Sequence, residues 1–187
     1  MGVKLAAASG GSIELVPTNT ASTFTVTVPA LTGTMLTTST AGTVLQVVQG
    51  TTNTTVSVST GGYTDTGLTA TITPTSATSK ILVFINQAFY TSISAGSQYG
   101  GIRILRGSTV IFYPLEYGGA PDDFGVATYG SAVYNRGSIN YQDSPATTSA
   151  VTYKTQGRPY NTSGTMVFQP TGDVNGTSTI ILMEIAA

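Results

Sequence analysis

The chain has 187 residues, of which Asp, Glu, Lys and Arg together make up 8%, against the roughly 25% usual in soluble globular domains; its formal net charge is -1. Cysteine and histidine are both absent, which excludes disulfides and thiolate chemistry and removes the commonest general base and metal ligand near neutral pH. Lys and Arg number seven against eight acids, too few and too scattered for a nucleic-acid footprint, and a surface this poor in charge is weakly protected against association, so much of it is expected to be shared in an assembly.

In chain order, the opening MGVKLAAAS is too short in its apolar part for a signal peptide, and Ala6 stands where a myristoylation signal needs Ser or Thr. A strand is predicted over 13–16, ended by Pro17, and a second in STFTVTVPA, where alternation sets Phe24, Val26 and Val28 on one face. Further strands are predicted at 44–48, 54–59, 68–73, 80–90, 101–105, 109–113, 126–134, 138–142, 150–156, 165–169 and 179–185, and Arg106-Gly107-Ser108 reads as a hairpin turn. The longest apolar run, ILVFI from Ile81, is far shorter than the roughly 18–20 residues of a membrane helix, so a soluble product without membrane insertion is expected.

Many short strands, punctuated about every ten residues by Gly, Pro, Asn and Asp, predict an all-β fold: an antiparallel β-sandwich, jelly-roll-like, over 43–187. Its core is expected to draw on Ile81, Val83, Ile85, Ile102, Ile104, Val110, Phe112, Val151, Tyr153, Val167, Ile181, Met183 and Ile185. Residues 1–42 form an extended β arm with too little apolar area to be stable alone, and Phe24, Val26 and Val28 are its candidate interface.

The segments YTDTGLTATITPTSATSKILVFIN, IRILRGSTVIF, DSPATTSAVTYKTQ and TSTIILMEIAA, in that order, resemble C-terminal modules of bacteriophage virion proteins, and GGSIELVPTNTASTFTVTVPALTGTMLTT resembles a segment found before such modules. The resemblance implies a homotrimer on the virion surface, assembled in the host cytoplasm, with a jelly-roll-like head and other virion proteins, of capsid or tail, as partners. Related fibres carry a long attachment region and shaft where this chain has a short arm. That departure favours a capsid decoration, or cement, protein over the alternative, a short tail-fibre or head-fibre tip that binds a host surface glycan.

No catalytic, cofactor or metal site is assigned, and an enzyme is not expected. Asp122 and Asp123, with Asp143 further on, lack calcium-loop spacing and read as a solvated turn. Asp143, Ser144 and Lys154 come without a nucleophile elbow, a histidine base or a Ser-x-x-Lys motif, so Asp143-Ser144-Pro145 reads as a turn before a strand. Sequons at Asn53, Asn161 and Asn175 read as loop residues in a Thr-rich chain. Glu184 reads as an edge or solvent-facing carboxylate, or as a polar contact at a subunit interface. The tyrosine-rich middle, Tyr113, Tyr117, Phe124, Tyr129, Tyr134 and Tyr141, offers Tyr117, Tyr129, Tyr134 and Arg136 as a candidate recognition surface, because Tyr and Arg bury area while keeping polar groups.

Overall fold

The structure, a computed structural model, describes residues 3–6, 12–15, 41–59, 61–93, 97–113, 124–129, 133–161, 163–171 and 176–187, of which 3–6, 12–15, 93, 97–99, 124–129 and 133 are described as backbone. The chain divides into two compact units, Met1–Met35 and Leu36–Ala187. In the first, β1 (Val3–Ala6) pairs antiparallel with β2 (Ser12–Leu15), Val3 opposite Leu15 and Ala6 opposite Ser12. β2 falls where a strand is predicted; β1 does not. The predicted Phe24, Val26 and Val28 strand lies outside the described residues.

The second unit contains β3 (Val44–Thr52), β4 (Val56–Val58), β5 (Thr64–Ile72), β6 (Lys80–Ile93), β7 (Ser97–Arg106), β8 (Thr109–Phe112), β9 (Phe124–Tyr129), β10 (Val133–Asp143), β11 (Val151–Pro159), β12 (Gly164–Phe168) and β13 (Ser178–Ile185). Every ladder is antiparallel, and no helix occurs among the described residues. One predicted strand, 126–134, is in fact the end of β9 and the start of β10, which belong to different sheets. Between them the sequence runs Gly130-Ser131-Ala132 with no Pro, Asn or Asp to mark a turn, so local sequence does not show the crossing.

Pairing is nested along the chain. β3 pairs with β13, β5 with β11, β6 with β10, and β7 with both β8 and β9. Folding such a nested ladder over on itself divides the strands between two antiparallel sheets, a sandwich. The first sheet runs β3-β13-β6, with β10 on the far side of β6; the 14-residue β6 pairs with β13 along 80–86 and with β12, followed by β4, along 89–93. The second runs β5-β11-β7, with β8 and β9 sharing the outer edge of β7. At the β7–β8 hairpin Gly107 takes φ +60°, which a residue with a Cβ adopts only at a cost.

Period-two burial builds the core between the sheets. Leu68, Ala70 and Ile72 of β5, Val151 and Tyr153 of β11, Ile102 and Ile104 of β7, Ile81, Val83, Ile85 and Phe89 of β6, and Ile180 and Leu182 of β13 are buried together. The Phe168 ring lies directly over Gly157, and a Cβ there would fall on the ring. The predicted core members Ile81, Val83, Ile85, Ile102, Ile104, Val151, Tyr153 and Val167 are buried, and Phe112 packs half-buried against Tyr141 at 5.0 Å. Val110 is only half-buried.

On β13 the expected faces are reversed. Ile180, Leu182 and Glu184 point inward, while Ile181, Met183 and Ile185 point outward and are half-buried. Apolar residues occupy both faces of this strand, so its own alternation cannot choose between them; the polar partners waiting for Glu184 do. Gln46 Nε2 donates to one carboxylate oxygen at 2.6 Å, and the Thr75 amide and hydroxyl donate to the other at 2.7 and 2.8 Å. Glu184 is therefore fully buried, on a strand flanked by β3 and β6, and not an edge or solvent-facing group.

Candidate functional site

The outward faces of the two sheets carry the surface chemistry of the sandwich. On the first sheet, strand register aligns Gln49, Ile181, Phe84 and Asn140 in one row and Val47, Met183, Leu82 and Gln142 in the next. Val47 is 56% exposed and Phe84 37%, with Leu82, Ile181, Met183 and Ile185 half-covered around them. Six apolar side chains thus form a continuous outward field. No carboxylate lies on this face among the described residues, because the two acids of the sheet, Asp143 and Glu184, are both buried.

Towards the other end of that face, past Asn86, Ser138 and Thr179, stand Tyr134 and Arg136, two residues apart on β10 and so on one side of it. Tyr134, 49% exposed, leans on Tyr90 with ring centroids 5.0 Å apart and planes at 47°. Arg136 donates to Asn86 Oδ1 at 2.8 Å and to the Thr177 carbonyl at 3.1 Å. With Ala88, Phe89, Asn135, Pro170 and Gly176 they line a pocket of about 280 Å³. Of the predicted recognition residues, Tyr134 and Arg136 come together here; Tyr117 lies outside the described residues, and Tyr129 is described as backbone, opposite Ser97.

The second sheet presents a different surface. Asp65, Gln156 and Arg103 sit side by side on β5, β11 and β7, linked in a chain: Arg103 Nε and Nη2 donate to Gln156 Oε1 at 3.0 and 2.7 Å, and Gln156 Nε2 donates to Asp65 Oδ1 at 2.6 Å. Lys154 closes on Asp65 Oδ2 at 2.7 Å. Desolvation raises the Asp65 pKa, but hydrogen bonds from Lys154 and Gln156 and the nearby positive charges outweigh it, leaving the carboxyl below its ordinary value. Arg103 stacks over the Tyr63 ring at 4.0 Å, Arg158 approaches the same ring at 5.1 Å, and Tyr113 lies 6.0 Å from Arg103. No expectation from sequence named this cluster, although Lys154, Gln156 and Arg158, spaced two apart beside buried neighbours, are its visible signal.

Beneath these faces two polar assemblies are enclosed. Arg106 Nη1 straddles the Asp143 carboxylate at 2.9 and 2.8 Å, and the buried Tyr153 hydroxyl donates to Asp143 Oδ2 at 2.7 Å. Burial first, then that carboxylate, push the Tyr153 pKa upward, so the hydroxyl stays a proton donor. Thr66, Gln87, Thr155 and Ser178, all fully buried, join the two sheets: Thr155 donates to Gln87 Oε1 at 2.8 Å, and Gln87 Nε2 donates to Ser178 Oγ at 2.9 Å.

Asp143, Ser144 and Lys154 are committed to separate partners. Ser144 accepts from Lys80 at 2.9 Å while Lys154 holds Asp65. Asp122 and Asp123 lie outside the described residues, among which no three acids gather as metal ligands. Asn53 and Asn161 sit outside strands and Asn175 outside the described residues. No protein-family model matches the chain, and no curated protein matches it by sequence.

Proposed function

We propose that the chain is a non-enzymatic structural protein of a bacteriophage virion, a capsid decoration protein that binds the outside of the shell as a trimer and reinforces it. The observation that carries this reading is the outward apolar field around Val47, Phe84 and Ile181 on a chain with 8% charged residues. Contiguous apolar patches on a soluble sheet face mark surfaces that other proteins cover, and closing sandwiches around an axis would bury such faces without leaving an open-ended contact. The resemblance to virion modules supplies the setting, and the arm of residues 1–42 is assigned to attachment.

Mixing purified protein with undecorated particles tests it. Full-length chain should bind in many copies per particle and raise resistance to heat, and deletion of 1–42 should abolish binding while leaving a folded head; normal decoration by the deletion variant would remove the role of the arm. A second reading, a fibre tip that binds host glycan, is favoured by the Tyr134–Arg136 pocket. It predicts few copies per particle and a block of infection by free protein.

A further inference from the structure

We propose that the outward face of the second sheet binds a carboxylated polysaccharide, with Arg103 reading the carboxylates and Tyr63 and Tyr113 supplying ring surface. This site is separate from the apolar field and from the Tyr134 pocket, and rests on neither of the functions proposed above.

Charge distribution is the first argument. The chain has seven cationic side chains, and three of them, Arg103, Lys154 and Arg158, share this face with one carboxylate, Asp65, among the described residues. Lys154 already answers that carboxylate. Both hydrogen bonds of Arg103 go to a neutral amide oxygen, and neither ion pair among the described residues includes it. A guanidinium with no carboxylate in contact among the described residues, in a chain that carries so few charges, is suited to an anion brought from outside.

Geometry is the second argument. Tyr63 supports one guanidinium at 4.0 Å and the other at 5.1 Å, and Gln156 fixes the fork of Arg103, so little side-chain freedom is lost when a carboxylate arrives. Nη1 of Arg103 stays outside both bonds to Gln156. Tyr113 is 48% exposed, and the Thr71 and Thr152 hydroxyls, 2.8 Å apart across β5 and β11, add polar contacts on the same face. An anion receptor, aromatic rings and hydroxyls on a flat sheet match an acidic sugar chain. Nucleic acid fits poorly, since three cations give only a small counterion-release term.

The test titrates the full-length protein with oligogalacturonate by calorimetry, with neutral dextran, poly-glutamate and polyphosphate as comparison arms. Oligogalacturonate should bind saturably, more weakly at higher salt, and Arg103→Gln should weaken it about tenfold or more. Arg103→Lys keeps the charge but not the fork and should lose most of the affinity, which separates carboxylate recognition from bulk charge; circular dichroism and melting show that each variant is folded. Ser138→Ala and Thr179→Ala, on the outward face of the first sheet, should leave binding unchanged. Absence of oligogalacturonate binding, equal binding by Arg103→Gln, equal binding of dextran, or tighter binding of poly-glutamate or polyphosphate would each overturn the proposal.

Discussion

Across the first sheet the outward row Gln49, Ile181, Phe84, Asn140 spans four strands without an ion, while across the second the row Asp65, Gln156, Arg103 spans three strands as a continuous hydrogen-bonded chain. The contrast extends to the acids. Asp143 and Glu184 of the first sheet are turned inward to partners, whereas the side chain of Asp65 on the second is 52% exposed. If charge served only to keep the sandwich soluble, it would be placed where apolar side chains meet water. Instead the first face has no carboxylate among the described residues and its two cations, Lys80 and Arg136, lie at its two ends, while Arg103, Lys154 and Arg158 gather around Asp65 on the face that is already polar. The two faces therefore differ in chemistry: one is largely apolar and holds no carboxylate among the described residues, the other is a hydrogen-bonded network of ions and amides.

The most direct way to break this contrast is to make the first face resemble the second. Phe84→Asp combined with Ile181→Asp introduces two charges at adjacent outward positions, and each fully buried apolar side chain is worth about 1.5–3 kcal/mol. Self-association should weaken by roughly 3–6 kcal/mol, or about 10²–10⁴-fold, seen in sedimentation as a shift to single subunits with an unchanged circular-dichroism spectrum. An unchanged oligomer would show that this face is not where copies meet. Next in size is the Arg106–Asp143 pair between the sheets: Arg106, its side chain 30% exposed, keeps access to water, but Asp143→Ala leaves the buried Tyr153 hydroxyl without its acceptor and should cost about 1–3 kcal/mol of unfolding free energy in urea. The exposed pair on the second face should differ sharply, Lys154→Ala costing about 1 kcal/mol or less.

Much of the sandwich is legible from local alternation. The stretches 64–72 and 151–159 each bury every second residue, and Ile81, Val83 and Ile85 declare the inner face of β6. What escapes is whatever depends on partners distant in sequence. The face of β13 is chosen by donors on Gln46 and Thr75, 138 and 109 residues from Glu184, and nothing in IILMEIAA announces them. Likewise Tyr63, Arg103 and Arg158 meet only because β11 lies between β5 and β7, a consequence of nested pairing rather than of any motif. The tyrosine-rich middle draws attention by composition, and among the described residues Tyr134 and Arg136 of its four predicted recognition residues are placed together, at a meeting point that includes Pro170 and Gly176 from a segment that carries no such signal.

A subtler probe asks whether the carboxylate hidden beneath the apolar face acts as a charge or only as a shape. Burial alone would raise the Glu184 pKa, but hydrogen bonds from Gln46 and from the Thr75 hydroxyl and amide outweigh it and hold the group below its ordinary 4.5. The folded protein then binds fewer protons than the unfolded chain as the pH approaches that value, so the contribution of Glu184 is fully present above about 4.5 and is lost as the pH falls through the lower folded pKa. Asp65 shifts in the same direction, so wild-type acid sensitivity does not belong to Glu184 alone. Glu184→Gln separates the two: it should cost about 1–3 kcal/mol near neutral pH, where charge-assisted bonds are replaced by neutral ones, and progressively less in acid, so that urea midpoints of variant and wild type converge towards low pH. A constant offset between the two curves would mean that the carboxylate fills space under the apolar face without its charge being used.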